Sequence, residues 1–165
     1  MLEWNLIGRC GLYCGACSIY RAYKDGLIYQ ERIAARFNCR PDQVRCDGCQ
    51  VLTEDCWGND CEIVACLRRQ GYEFCYECAQ FVDSSCDKYA SIADAYAGRG
   101  VDVRGNLHAI QQGLGAEWLL DQERRWRCPS CQRPISVWDG ICRGCGERVQ
   151  RQHSESEVPG GVCSL

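Results

Sequence analysis

Trp126-Arg127-Cys128-Pro129-Ser130-Cys131, then Arg133-Pro134-Ile135-Ser136-Val137-Trp138, then Asp139-Gly140, then Ile141-Cys142-Arg143-Gly144-Cys145-Gly146 is the stretch from which the fold is read. It contains two C-x-x-C knuckles. Each knuckle sets two thiolates about 3.5–4 Å apart, and a tetrahedral ion with Zn–S bonds of about 2.3 Å needs two such pairs face to face. The spacing therefore predicts a β-hairpin zinc ribbon over residues 124–150 that holds one ion through Cys128, Cys131, Cys142 and Cys145. Asp139-Gly140 is the expected tight turn, and Gly144 and Gly146 are expected to give the second knuckle its positive φ angles. Four unrelated buried thiols would not fall into this paired spacing. Zinc is favoured over a rubredoxin-like iron site. In so short a module the ion supplies most of the folding free energy, because two short strands cannot bury a core alone.

Outward from the ribbon, cysteine remains the abnormal quantity: seventeen residues in a chain of 165. Such density means either disulfides or metal sites. The count is odd, and five C-x-x-C pairs occur, namely 14/17, 46/49, 75/78, 128/131 and 142/145. The start Met1-Leu2-Glu3-Trp4-Asn5-Leu6 lacks the basic, apolar and small-residue segments of a secretory signal. Metal in a reducing, cytoplasmic setting is therefore the expectation. No run of eighteen apolar residues is present, so no membrane span is expected.

Twelve cysteines lie between Cys10 and Cys86, none between Cys86 and Cys128, four in the ribbon, and Cys163 alone in the tail. The cysteine-free interval 87–126 reads as two helices, the first ending near Gly98-Arg99-Gly100. The second is built on Leu107, Ile110, Leu114, Trp118 and Leu119, with Gly113 and Gly115 as breakers. Helices also suit Ile19 to Phe37, interrupted at Asp25-Gly26, and Glu62 to Gln70, closed by Gly71. The expected whole is a small metal-stabilised protein. An α-rich N-terminal cysteine-cluster domain (1–123) precedes the β-hairpin zinc ribbon (124–150), and a polar, flexible tail (151–165) follows.

Cys10-Gly11-Leu12-Tyr13-Cys14-Gly15-Ala16-Cys17 is a C-x3-C-x2-C triplet, the spacing by which radical S-adenosylmethionine enzymes hold an iron–sulfur cluster. The chain lacks the length and the alternating strand–helix pattern of their barrel, so radical chemistry is set aside. Beyond the triplet come Cys39, Cys46, Cys49, Cys56, Cys61, Cys66, Cys75, Cys78 and Cys86. Cys61 and Cys66 would lie about 140° apart on a regular helix, which assigns them to different sites unless Cys61 precedes the helix. Arg40, Arg45, Arg68 and Arg69 are candidates to offset the charge of thiolate centres.

The triplet, followed by Cys46-Asp47-Gly48-Cys49, Cys61-Glu62-Ile63-Val64-Ala65-Cys66, Cys75-Tyr76-Glu77-Cys78 and Cys86, resembles the domain of unknown function 3795 over about residues 8–90. The resemblance implies a small prokaryotic metal-binding protein without an assigned activity, in some members with a C-terminal ribbon. It implies as ligands Cys10, Cys14, Cys17, Cys46, Cys49, Cys61, Cys66, Cys75, Cys78 and Cys86, and leaves Cys39 and Cys56 outside. Phe81-Val82-Asp83-Ser84-Ser85-Cys86 departs from the proline-containing ending of the family, which weakens the transfer at Cys86.

Three function classes follow. The first is a zinc-binding structural or interaction module carrying several zinc ions, since closed four-thiolate sites leave no coordination position for chemistry. The second is a thiol-based redox or metal sensor, and the third an iron–sulfur electron carrier or enzyme with its cluster in the N-terminal region. His108 and His153 belong to no nucleophile constellation, and no phosphate-cradling glycine loop occurs, so an enzyme is not favoured. A protein partner suits the first class. Nucleic acid is less favoured: seven arginines from Arg124 to Arg151 and two tryptophans make a basic stretch, but the chain as a whole carries −3. Composition leaves the oligomeric state open.

Overall fold

The computed structural model describes residues 2–149. Seven α-helices follow one another among them: α1 Ser18–Asp25, α2 Leu27–Phe37, α3 Glu62–Gln70, α4 Ala79–Val82, α5 Asp87–Ala97, α6 Val103–Gln111 and α7 Gly115–Arg125. The break at Gly26 divides α1 from α2, and α3 closes at Gly71, both where the sequence places them. The interval after Cys86 holds three helices rather than two, because Gly113 and Leu114 separate α6 from α7. The expected flexible tail, with Cys163, lies outside the described residues.

The expected β-hairpin is not formed, and this corrects the fold class: among the described residues there is no strand and no sheet, only isolated bridges. Backbone pairing stays inside each knuckle. In the first, Cys128 N–H donates to Arg133 O and Ile135 N–H to Trp126 O, both at 2.9 Å. In the second, Cys142 N–H donates to Glu147 O at 2.8 Å and Val149 N–H to Gly140 O at 3.0 Å. The Arg127–Pro134 bridge cannot lengthen into a ladder, since proline has no N–H to donate. The joining turn also falls earlier than expected. Asp139 N–H donates to Ser136 O at 3.1 Å, while Ser136 N–H donates to Asp139 Oδ2 at 2.9 Å. Val137 N–H is taken by Ala16 O at 2.8 Å, so the segment meant to pair with a second strand is bonded to the helical part instead.

One buried cluster runs through the helices into the C-terminal knuckles. It joins Leu6, Ile7, Tyr13, Leu67, Phe81, Tyr89 and Leu107 to Trp126, Ile135, Val137 and Val149. A second, smaller cluster of Ile19, Ala22, Ile33, Ala34, Val44 and Cys46 fills the space under α1 and α2. Trp126 is the junction of α7 with the first knuckle: it is 2% exposed, and its Nε1–H donates to Gln122 Oε1 at 3.0 Å. Arg143 ties the second knuckle to the α1–α2 pair. It reaches Asp25 at 2.9 Å and Asp139 at 3.2 Å, and lies 3.3 Å from the centre of the Tyr29 ring. No helix among the described residues is long and apolar enough to cross a membrane.

Candidate metal centre

The four sulfurs of Cys128, Cys131, Cys142 and Cys145 all lie within 4.8 Å of one another. Cys128 Sγ is 3.6 Å from Cys145 Sγ, and Cys131 Sγ is 3.6 Å from Cys142 Sγ. Tetrahedral coordination with bonds of about 2.3 Å puts neighbouring sulfurs about 3.8 Å apart, so the quartet fits one ion with little movement. Backbone amides are already aimed at the sulfurs. Gly144 N–H donates to Cys142 Sγ at 3.3 Å, and the Cys131 N–H directed at Cys128 holds that thiol down at about 7. Amides that favour a thiolate are what a ligand sulfur requires. The two knuckles thus meet through sulfur without the hairpin that was expected to join them. Of the glycines expected to have positive φ, Gly146 has it, at 76°, whereas Gly144 is where Arg133 packs closely on the backbone.

All sixteen cysteines of the described residues are free thiols. Around the N-terminal triplet, Cys14 and Cys49 are close electrostatic neighbours. That contact, ahead of an Arg9 amide and the Arg9 charge, holds Cys49 down at about 7 while Cys14 is pushed well up. Burial, and then Cys49, Cys61 and Cys75, push Cys10 up. Burial also raises Cys17, opposed by the amides of Tyr20 and Ile19 at the start of α1. Cys10, Cys14, Cys17, Cys49 and Cys61 thus form one neighbourhood.

Two glycines build this neighbourhood. Gly11 has φ +88°, and a Cβ there would collide with the Val103 carbonyl; Gly48 has φ +109°, and a Cβ there would collide with the Asn5 carbonyl. Asn5 Nδ2 also donates to Asp47 O at 2.8 Å, which fastens the 46–49 knuckle to the N-terminal segment.

Cys46 and Cys49, read together in the sequence, neighbour one another and Cys46 also neighbours Cys17, but they pack against different buried clusters. Cys46 belongs to the smaller buried cluster, and burial raises it to about 12, whereas Cys49 sits against the larger cluster. Cys39 is partly buried against the smaller cluster, and Cys56 is 2% exposed with Thr53 Oγ1 at 3.4 Å from its sulfur. Cys61 stands just before α3 in extended backbone, and Cys66 lies within that helix. Cys66, Cys75, Cys78 and Cys86 line one cavity between α3 and α5. Among the described residues no other set of three or more potential ligands closes to the spacing of the C-terminal quartet.

Cys61 precedes α3, the case the sequence reading had left open; sequence reasoning missed that Cys17, Cys78 and Cys86 likewise occupy the residue immediately before a helix, α1, α4 and α5 respectively. The signal was legible at α1, α3 and α5, where an amphipathic run follows the cysteine. A helix start presents unpaired N–H groups and the positive end of its dipole, both of which favour a thiolate.

These features define a cysteine-rich helical protein with a four-thiolate centre able to hold a metal ion. The family described as "Protein of unknown function (DUF3795)" matches residues 6–91, and the chain belongs to that family. No curated protein and no solved structure matches the chain.

Proposed function

We propose that the chain is a zinc-binding structural module in which ions bound by thiolates hold the fold and the surrounding surface meets a protein partner. The observation that carries this reading is the closure of Cys128, Cys131, Cys142 and Cys145 to within 4.8 Å, a quartet that fills a tetrahedral ion and leaves no position for substrate. Four thiolates suit zinc by softness and geometry. The N-terminal cysteines named by the family resemblance hold further ions on this reading. A base-stacking nucleic-acid surface is less well supported, because Trp126 is buried and Arg127 is engaged by Glu123 at 2.6 Å.

The test is elemental analysis and the visible spectrum of protein purified without oxygen. Colourless protein with bound zinc is expected, together with loss of the ribbon's ion in Cys142→Ser. Brown protein containing iron and sulfide would replace this reading by the iron–sulfur one. Metal-free protein with linked cystines would end both.

A second reading, a thiol redox or metal sensor, is favoured by the proximity of Cys14 and Cys49, each of which shifts the other's titration. In the oxidation these two thiols give up two electrons and two protons to hydrogen peroxide, forming one disulfide and two waters. Zinc release by peroxide, reversed by a thiol reductant, is the expected behaviour. Thiols that stay protected until global unfolding would exclude it.

A further inference from the structure

A small cavity lies between α3 and α5, outside the C-terminal quartet. Cys75 and Cys78 enter it from a tight turn closed by Cys78 N–H donating to Cys75 O at 3.1 Å. Glu77 holds that turn in place by accepting the N–H groups of Phe74 at 2.7 Å and Glu73 at 3.0 Å. Cys66 enters from α3, and Cys86 from the residue that begins α5. The cavity measures about 30 Å³, above the roughly 10–15 Å³ that one water-sized occupant requires.

Phe81 and Tyr89, edge to face at 4.8 Å, contribute to the wall, and Lys88 also lines the cavity. An apolar wall gives water few partners, whereas four sulfurs give a soft cation four.

We propose that Cys66, Cys75, Cys78 and Cys86 together bind one thiophilic divalent ion of the zinc class, at a site separate from the ribbon and from the thiols around Cys14. This rests on the reading that the cysteines of this chain hold metal, and it states which of them share an ion. All four cysteines line the same small cavity, so as thiolates they would repel one another. A divalent ion at their centre turns that repulsion into attraction. The open end of α5 and Lys88 supply positive charge to a dianionic centre. The site also gives Cys86 a role that the departure from the family ending had left open, and it assigns Cys61 and Cys66 to different ions. Because this quartet is wider than the ribbon's, the ion draws α3 toward α5 as it binds.

The experiment counts zinc per chain in the full-length protein. Cys66→Ser, Cys86→Ser and the double variant are each expected to lose the same single equivalent, and Cys142→Ser to lose a different one, additively. Limited chelation of the wild-type protein with mass-spectrometric mapping of alkylated thiols needs no variant to fold. Cys66, Cys75, Cys78 and Cys86 are expected to become reactive together, at a rate distinct from that of Cys10, Cys14, Cys17 and Cys49. The proposal is overturned if the ribbon keeps its zinc while these four thiols react independently, or if they react in step with the Cys14 group. It is overturned equally if Cys66→Ser retains the wild-type zinc content. Absence of zinc from the ribbon as well would instead count against the function proposed above.

Discussion

Replacing Trp126 tests whether α7 and the first cysteine knuckle are one mechanical unit. The indole is 2% exposed, and its N–H is spent on Gln122, itself 4% exposed. Trp126→Phe keeps most of the buried ring but leaves the Gln122 oxygen without its donor, a loss of about 1–3 kcal/mol. Trp126→Ala adds the emptied ring volume, about 3–5 kcal/mol, for a total of roughly 4–8 kcal/mol. Against a domain stability of about 5–15 kcal/mol, the alanine variant stands near the threshold of folding. Urea titrations of the zinc-loaded protein, followed by far-ultraviolet circular dichroism, should give midpoints in the order wild type, Trp126→Phe, Trp126→Ala. In cobalt-substituted protein the thiolate charge-transfer band should vanish at the same urea concentration as the helical signal. A Trp126→Ala midpoint corresponding to less than about 1 kcal/mol of loss would refute the reasoning, since no tightly packed indole behaves that way. A cobalt band that survives helix melting would show that the knuckles stand without α7.

Arg143→Ala removes contacts to Asp25, Asp139 and the Tyr29 ring together. A loss of about 1–3 kcal/mol is expected in thermal or urea melts. Arg143→Lys should not restore it, because an ammonium cannot bridge two carboxylates and stack on the ring with the same geometry. Gly11→Ala should cost about 2–5 kcal/mol, from the strained φ and the collision with the Val103 carbonyl. Gly26→Ala shares the strained φ, at +109°, but meets nothing within 4 Å, so it should cost only about 1–2 kcal/mol. Equal losses in the two glycine variants, measured by urea titration, would remove the close approach of Gly11 to Val103 from the explanation.

Much of the helical part was legible because its signals are local. The break before Leu27 and the end of α3 at Gly71 are set by residues that punctuate helices wherever they occur. The division between α6 and α7 was harder, since the apolar spacing from Leu107 to Leu119 runs on while the backbone turns at Gly113. The hairpin failed for a physical reason. Asp139-Gly140 is a good local turn signal, but the backbone donors on its N-terminal side are claimed by a Ser136–Asp139 turn and by Ala16, far away in sequence. Cysteine spacing identified the C-terminal quartet because both members of each pair are sequence neighbours. Spacing could not divide the N-terminal thiols, since Cys66 and Cys86 reach one cavity from α3 and from the start of α5, and Cys14 neighbours Cys49 of the 46–49 knuckle.

The positions of the cysteines along the helices say how metal and secondary structure should be coupled. Cys17, Cys61, Cys78 and Cys86 precede α1, α3, α4 and α5, and apart from the Ile19 and Tyr20 amides that face the Cys17 sulfur these helix starts have no side-chain hydrogen bond to cap them. By contrast, α6 begins with Asp102, whose carboxylate accepts the Gly105 N–H at 2.8 Å, and α7 follows α6 after a short turn. A thiolate held by an ion at a helix start does the work of a cap, and stripping the ion returns a neutral thiol that favours the helix less. Chelation should therefore loosen α1, α3 and α5 from their first turns, while α6 keeps its own cap and stays closed. Amide hydrogen exchange with and without chelator measures this directly. Protection should fall first in peptides that begin at Ser18, Glu62 and Asp87, with residues 103–111 following only at global unfolding. Simultaneous loss across all these helices would mean that the ions stabilise the core as a whole and that the placement of cysteines at helix starts has no separate consequence.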